Sequence, residues 1–345
     1  MPAIDRDHYN RLTLEDELTS AQDAQKEVDG LLAAHPEWVN PLETTPSNLT
    51  PEYVQWKSQL DDAQARAQDL DDLTTLSTET DEGQYPQRML LQVDTQSGEK
   101  VHAIVADGDP DSASHVTTYV PGTGSQPAKM ETDMERVDRM TEQASKAGAQ
   151  NPVTIAWFGY DAPPTIGGAT QSEYAQEAAP ALNAFQESLS ITHVGGESQN
   201  TVLGHSYGST VIGTAASGEY TLDADNLVFA GSPGAGVEHV NEFNLTGVPE
   251  GTEGSRVYAT AAENDPVPAY SSAPDVGSVL IPGSGLVVDD HGVDPTSPDF
   301  GATVFESDPG SSYPVIGYNP AAHSEYWDPG NPALKEMGRI IAGIA

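Results

Sequence analysis

The sequence predicts an α/β fold, a mostly parallel central sheet flanked by helices, with an acidic helical region ahead of it. Three observations predict this. From Arg88 onward, short apolar runs alternate with helix-patterned stretches, which is the pattern of a parallel sheet covered on both faces. Residues 1–85 instead carry apolar positions at helical spacing, such as Leu12, Leu14, Leu18, Val28, Leu31 and Leu32. Residues 201–213, TVLGHSYGSTVIG, form an apolar run that stops at a serine between glycines and resumes as a small-residue helix.

Taken in order, residues 1–85 predict two or three helices, interrupted in HPEWVNPLETTPSNLTP by four prolines and resumed over about 52–76. This region holds 19 acidic residues against 5 basic ones, so its outer faces are expected to be solvated. It reads as a helical hairpin packed on the main domain, or as a lid or a segment that binds a protein partner. The main domain is expected over 86–345, and the part from Arg88 onward is expected to fold without the helices.

RMLLQVD and VHAIVAD predict an antiparallel opening pair, followed by buried strands at VTTYV, VTIAWF, TVLGH, LVFAG and RVYAT. FGATVF is the last strand-like run. Helices are predicted over 130–147, 172–189, 207–217 and 332–344, the last with Asn331 at the N-cap and Pro332 at its first position.

The 345 residues suit one large domain with an appendage, or two domains. A formal charge of -39 argues against nucleic acid and anionic membrane surfaces as partners, because both are polyanions; a high-salt habitat selects the same composition. Without cysteine there is no disulfide, thiolate catalyst or Cys-ligated zinc. The N-terminus lacks the basic start and apolar block of a secretory signal, and no run is long enough to span a membrane. The expectation is a soluble protein, either cytoplasmic or exported without a cleaved signal.

Gly204-His205-Ser206-Tyr207-Gly208 fits the Gly-x-Ser-x-Gly pattern in the setting that pattern requires, a strand before it and a helix after it. A serine hydroxyl is a poor nucleophile at neutral pH, so a base must take its proton and an acid must orient the base. On a sheet of this kind the acid follows the serine and the histidine comes last. Asp265 follows an apolar strand, and Pro266 after it is expected to hold the loop away from helix; Glu263 is the nearest competitor. His323 lies just before the last helix and is the expected base, with His291 as its rival and His205 read as structural. Asp289, Asp290 and Asp294 surround His291 but lack the ligand spacing of a calcium loop, and a solvated turn is expected there.

Oxyanion donors are expected from the Tyr207 N–H and from the glycine-rich turn PGTGSQP, with Thr123 and Gly124 as candidates. That turn lacks the Lys-Ser/Thr ending of a phosphate loop. Tyr160, Asp161 and Pro163 follow a strand and are expected on the same rim as the serine, as walls of a substrate pocket.

Together VPGTG, AWFGYDAPP, GHSYGST, GSPGAG, END, HGVDPTSPDFGA and the H-x-x-Y-W around His323 resemble the actinobacterial α/β-hydrolase family of unknown function DUF1023. The resemblance covers about 101–345 with its motifs in family order. It implies an α/β-hydrolase fold with Ser206, Asp265 and His323 at the triad positions, and it implies no substrate. Residues 1–85 match none of its motifs.

The expected activity is hydrolysis of esters or related acyl bonds through an acyl-enzyme, on a small-molecule or lipid substrate and without a cofactor. The alternatives are a catalytically silent hydrolase-fold protein that binds a partner, a cell-envelope lipid esterase of phage-lysis type, and, less favoured, a peptidase.

Overall fold

The computed structural model describes residues 1–39, 50–81, 88–271, 291–314 and 318–345. Three helices open the chain: α1 (Ala3–Ala34), α2 (Pro51–Gln68) and α3 (Leu70–Asp81). Thr50 starts α2 by accepting the Tyr53 N–H on its hydroxyl (3.2 Å), with Pro51 in the first turn, where a missing N–H costs nothing.

Eight strands follow, β1 (Met89–Asp94), β2 (His102–Ala106), β3 (His115–Val120), β4 (Pro152–Phe158), β5 (Gln199–His205), β6 (Asn226–Ala230), β7 (Val257–Thr260) and β8 (Thr303–Val304). They form one sheet in the order β1-β2-β4-β3-β5-β6-β7-β8, in which β2 runs antiparallel to both neighbours and the other pairings are parallel. The expected opening pair is therefore present, and β2 continues it into the parallel part.

The crossover helices are α4 (Met130–Ala147), α5 (Glu173–Thr192) and α6 (Tyr207–Ala215), and α8 (Pro332–Ile341) closes the fold after the short α7 (Pro266–Ser271). Successive strand residues point to opposite faces, which divides the core in two. Val202, Leu227 and Phe229 join Leu182, Val211 and Ile212 of α5 and α6 on one face. Leu203, Val228 and Tyr119 join Met134, Met140, Leu334 and Met337 of α4 and α8 on the other.

Two expected elements are shorter by three or more residues in the structure. The 300–305 run contributes only the two-residue β8, which lies exposed at the sheet edge beyond Gly301 (φ 91°). The last helix stops at Ile341 because Gly343 turns left-handed (φ 71°) and its N–H returns to the Ile340 carbonyl.

The N-terminal helices share the core. Leu14 and Ala21 of α1 and Leu73 and Leu76 of α3 pack with Leu90, Val105 and Tyr119. The far end of the α1–α2 pair has its own small cluster of Val28, Trp56, Leu60 and Ala63. Helix α1 also covers the β1 edge: Asp7 accepts the Leu90 N–H (2.8 Å), Asn10 donates to the Leu90 carbonyl (2.9 Å) and Arg11 donates to the Arg88 carbonyl (2.9 Å). An edge strand left bare would template pairing with another chain; here α1 side chains occupy the N–H and carbonyl of Leu90.

Candidate active site

Ser206 stands at the tip of β5 where the chain turns into α6, with φ 55° and ψ -129°. Among the described residues only Asn151 is another non-glycine with positive φ. Such a conformation costs on the order of 1–3 kcal/mol and persists only where the surroundings impose it. They do so here by close packing: a Cβ on Gly204 would fall 2.7 Å from the Gly208 backbone, and one on Gly208 would run into the Val120 carbonyl. The Ser206 N–H donates to the Ala230 carbonyl (3.0 Å), which ties the turn to the end of β6. The Ser206 hydroxyl makes no hydrogen bond among the described residues.

Asp265 and His323, 58 residues apart, meet through a 2.8 Å hydrogen bond between Nδ1 and Oδ2. The aspartate side chain is fully buried and the histidine side chain is 17% exposed, so the ring has one solvent-facing side. Pro266 does not keep a helix away, as expected from the sequence; it opens α7. The reason is that proline suits a helix's first turn while keeping the residue before it extended, and Asp265 Oδ1 then accepts the Val267 N–H (2.9 Å) as a cap would. Glu263, the competing acid, is exposed.

Tyr326 is a partner that sequence reasoning missed. Its hydroxyl donates to Asp265 Oδ2 (2.6 Å) and accepts the Ala262 N–H (3.0 Å). Burial, and then the adjacent carboxylate, push its phenol pKa up, so it remains a donor. The signal was the spacing: Pro320–Trp327 is a 3₁₀ segment in which positions three apart eclipse, so His323 and Tyr326 reach the same carboxylate.

His205 lies beside His323, its ring 4.6 Å away and its Nε2 2.7 Å from the His323 carbonyl. His291 lies elsewhere: its Nε2 is 2.7 Å from the Ala169 carbonyl, its own carbonyl accepts the Gly236 N–H, and its ring stands edge-on to Tyr207 at 5.6 Å. Asp294 accepts the Thr296 N–H and hydroxyl, both at 2.8 Å, while Asp289 and Asp290 lie outside the described residues. No group of three metal-ligating side chains occurs among the described residues.

The glycine-rich turn after β3 lies against the serine. A Cβ on Gly122 would fall 2.7 Å from the Ser206 Cβ and 3.0 Å from the Tyr207 nitrogen, so only glycine allows this approach. The Gly124 N–H, expected as an oxyanion donor, is engaged by the Pro163 carbonyl at 2.9 Å. The Thr123 N–H makes no hydrogen bond among the described residues.

Tyr160 and Pro163, expected as pocket walls, clamp this turn from either end. The Tyr160 hydroxyl donates to the Pro121 carbonyl (2.8 Å), and burial pushes the phenol pKa up, which keeps it protonated. Asp161 is committed elsewhere, accepting the Glu99 N–H (2.8 Å) and Lys100 N–H (3.1 Å) and pairing with His102 (3.1 Å).

The sequence model of the alpha/beta hydrolase family matches residues 96–275, which contain the elbow serine and Asp265. The chain belongs to this family. Among curated proteins, this alpha/beta hydrolase is 34% identical over 262 residues to the uncharacterized protein Rv2079 of Mycobacterium tuberculosis (strain ATCC 25618 / H37Rv), covering 71% of this chain and 38% of that one. It is 31% identical over 170 residues to the uncharacterized protein Mb0988c of Mycobacterium bovis, covering 47% of this chain and 63% of that one. The chain thus spans less than two thirds of the length of these relatives. A solved arylesterase structure aligns with a TM-score of 0.40 at 9% identity, over 86% of this chain and 99% of that one. No helix among the described residues is long and apolar enough to cross a membrane.

Proposed function

We propose that this alpha/beta hydrolase is a serine hydrolase of ester or related acyl bonds, with a small-molecule or lipid ester as substrate. The observation that carries the reading is the 2.8 Å hydrogen bond from His323 Nδ1 to buried Asp265, with the His323 ring 4.6 Å from that of His205, the residue before a serine held at positive φ on a strand-to-helix turn. With Nδ1–H directed at the carboxylate, Nε2 is left unprotonated and serves as the base.

In the first half-reaction Nε2 takes the Ser206 proton as Oγ bonds to the acyl carbon. The proton then passes to the leaving alcohol as its C–O bond breaks. In the second half-reaction water gives a proton to Nε2 and attacks the acyl-enzyme; the acid leaves and Oγ recovers its proton. The oxyanion is received by the N–H groups of Tyr207 and Thr123. Thr123 takes this role alone in its turn, since the Gly124 N–H is already engaged by Pro163. No step calls for a metal or cofactor. The mycobacterial relatives support assignment to the actinobacterial DUF1023 branch.

Ser206→Ala is the direct test. It is expected to abolish both p-nitrophenyl ester hydrolysis and labelling by a fluorophosphonate, while stability changes by no more than about 1 kcal/mol, because only a hydroxyl is lost. Turnover that survives in the variant removes the reading.

A further inference from the structure

We infer that His205 is the positioning residue of the base, donating its Nε2–H to the main-chain carbonyl of His323 and bracing the His323 ring. This rests on the serine hydrolase reading and adds a role for the residue immediately before the nucleophile. The 2.7 Å contact joins the tip of β5 directly to the segment that carries the base, across 118 residues of chain. A carbonyl accepts only, so the ring nitrogen facing it is the protonated one.

The His205 ring is itself braced. It lies 4.6 Å from the His323 ring at a 33° tilt and stands edge-on to Trp327 at 5.0 Å. A second support of Trp327 is the Arg136 guanidinium, 4.7 Å from the indole centre and held by Asp133 and the Tyr119 hydroxyl, each at 2.8 Å. Burial and the neighbouring His323 push the His205 pKa well down. A neutral neighbour adds no like charge when His323 becomes an imidazolium during turnover.

His323 is thereby restrained twice: Asp265 aligns the imidazole through Nδ1, and His205 holds the backbone from which the side chain projects. A base displaced by even 1 Å loses about a hundredfold in rate, so a tie on its own carbonyl has a kinetic consequence.

Two measurements test this on the full chain. His205→Phe keeps a flat ring but removes the donor, and His205→Gln keeps an amide donor. The Phe variant is expected to lower kcat for a p-nitrophenyl ester, and the rate of fluorophosphonate labelling, by about 10- to 100-fold with KM unchanged. The Gln variant is expected to recover most of that loss. Wild-type kcat in the Phe variant, or an equal loss in both, overturns the inference. Independently of how the variants fold, nitrogen NMR of the histidine-labelled wild type is expected to show His205 as the neutral Nε2–H tautomer; an Nδ1–H tautomer overturns it. If the wild type neither hydrolyses esters nor takes the label, the serine hydrolase reading fails, while the tautomer still reports on the His205–His323 tie.

Discussion

Asp265 collects three hydrogen bonds, from His323, Tyr326 and the Val267 N–H, at a fully buried side chain. An amide has only one accepting oxygen, so its NH2 must face either the Val267 N–H or the His323 and Tyr326 donors, and in the second orientation it donates to His323 Nδ1. Asp265→Asn is therefore expected to lower kcat by several orders of magnitude through the wrong imidazole tautomer, with far-UV circular dichroism retained. Glu263→Gln, at an exposed position, is expected to leave kcat near wild type, and the reverse pattern would transfer the acid's role to Glu263. Gly122→Ala is a steric test of the oxyanion role proposed for the glycine-rich turn. Its methyl would sit 2.7 Å from the Ser206 Cβ, so the turn must retreat; kcat is expected to fall at least tenfold, and an unchanged value would show that the turn takes no part.

At the scale of elements, α1 and α3 act as part of the hydrolase core. They bury Leu14, Ala21, Leu73 and Leu76 against the sheet, and α1 covers the β1 edge through Asp7, Asn10 and Arg11. Asp72 of α3 also accepts the Ala128 N–H, in the 3₁₀ turn Pro127–Lys129 that follows the glycine-rich turn. The sequence pattern suggested that residues from Arg88 onward would fold alone, because all strands lie there. Removal of 1–85 is instead expected to leave a chain that binds a hydrophobic dye and self-associates, as dye fluorescence and sedimentation would register. A monodisperse, dye-negative truncation would show the helices to be dispensable.

At the scale of the molecule, stability is expected to depend on pH through Asp107. Its carboxyl accepts the Thr154 N–H (2.7 Å) from β4 and the Thr141 hydroxyl from α4, and burial pushes its pKa up to about 7. The unfolded chain releases this proton near pH 4, so between about pH 4 and 7 the folded state holds more protons than the unfolded one. Stability is then greatest at the acid end of that window and falls as pH rises, by on the order of 4 kcal/mol in all. Urea midpoints at pH 5 and pH 8 are expected to drop more for the wild type than for Asp107→Asn. Equal drops would assign the pH dependence to the other carboxylates of a chain with net charge -39.

The sequence by itself determined the strand–helix alternation and the elbow around Ser206, because both are local. Short, near-continuous apolar runs and glycines flanking a serine leave their mark within a dozen residues. By chain order it also favoured His323 over His291 as the expected base. Only the tertiary structure brought Asp265 to His323 and sent His291 to the Ala169 carbonyl, since those partners lie 58 and 122 residues apart in the chain. It likewise decided that Gly124 spends its N–H on Pro163, that Tyr160 fastens the glycine-rich turn after β3, and that α1 covers a strand edge. A backbone N–H looks the same in every sequence; what accepts it is set by which distant carbonyl the packed sheet carries to within about 3 Å.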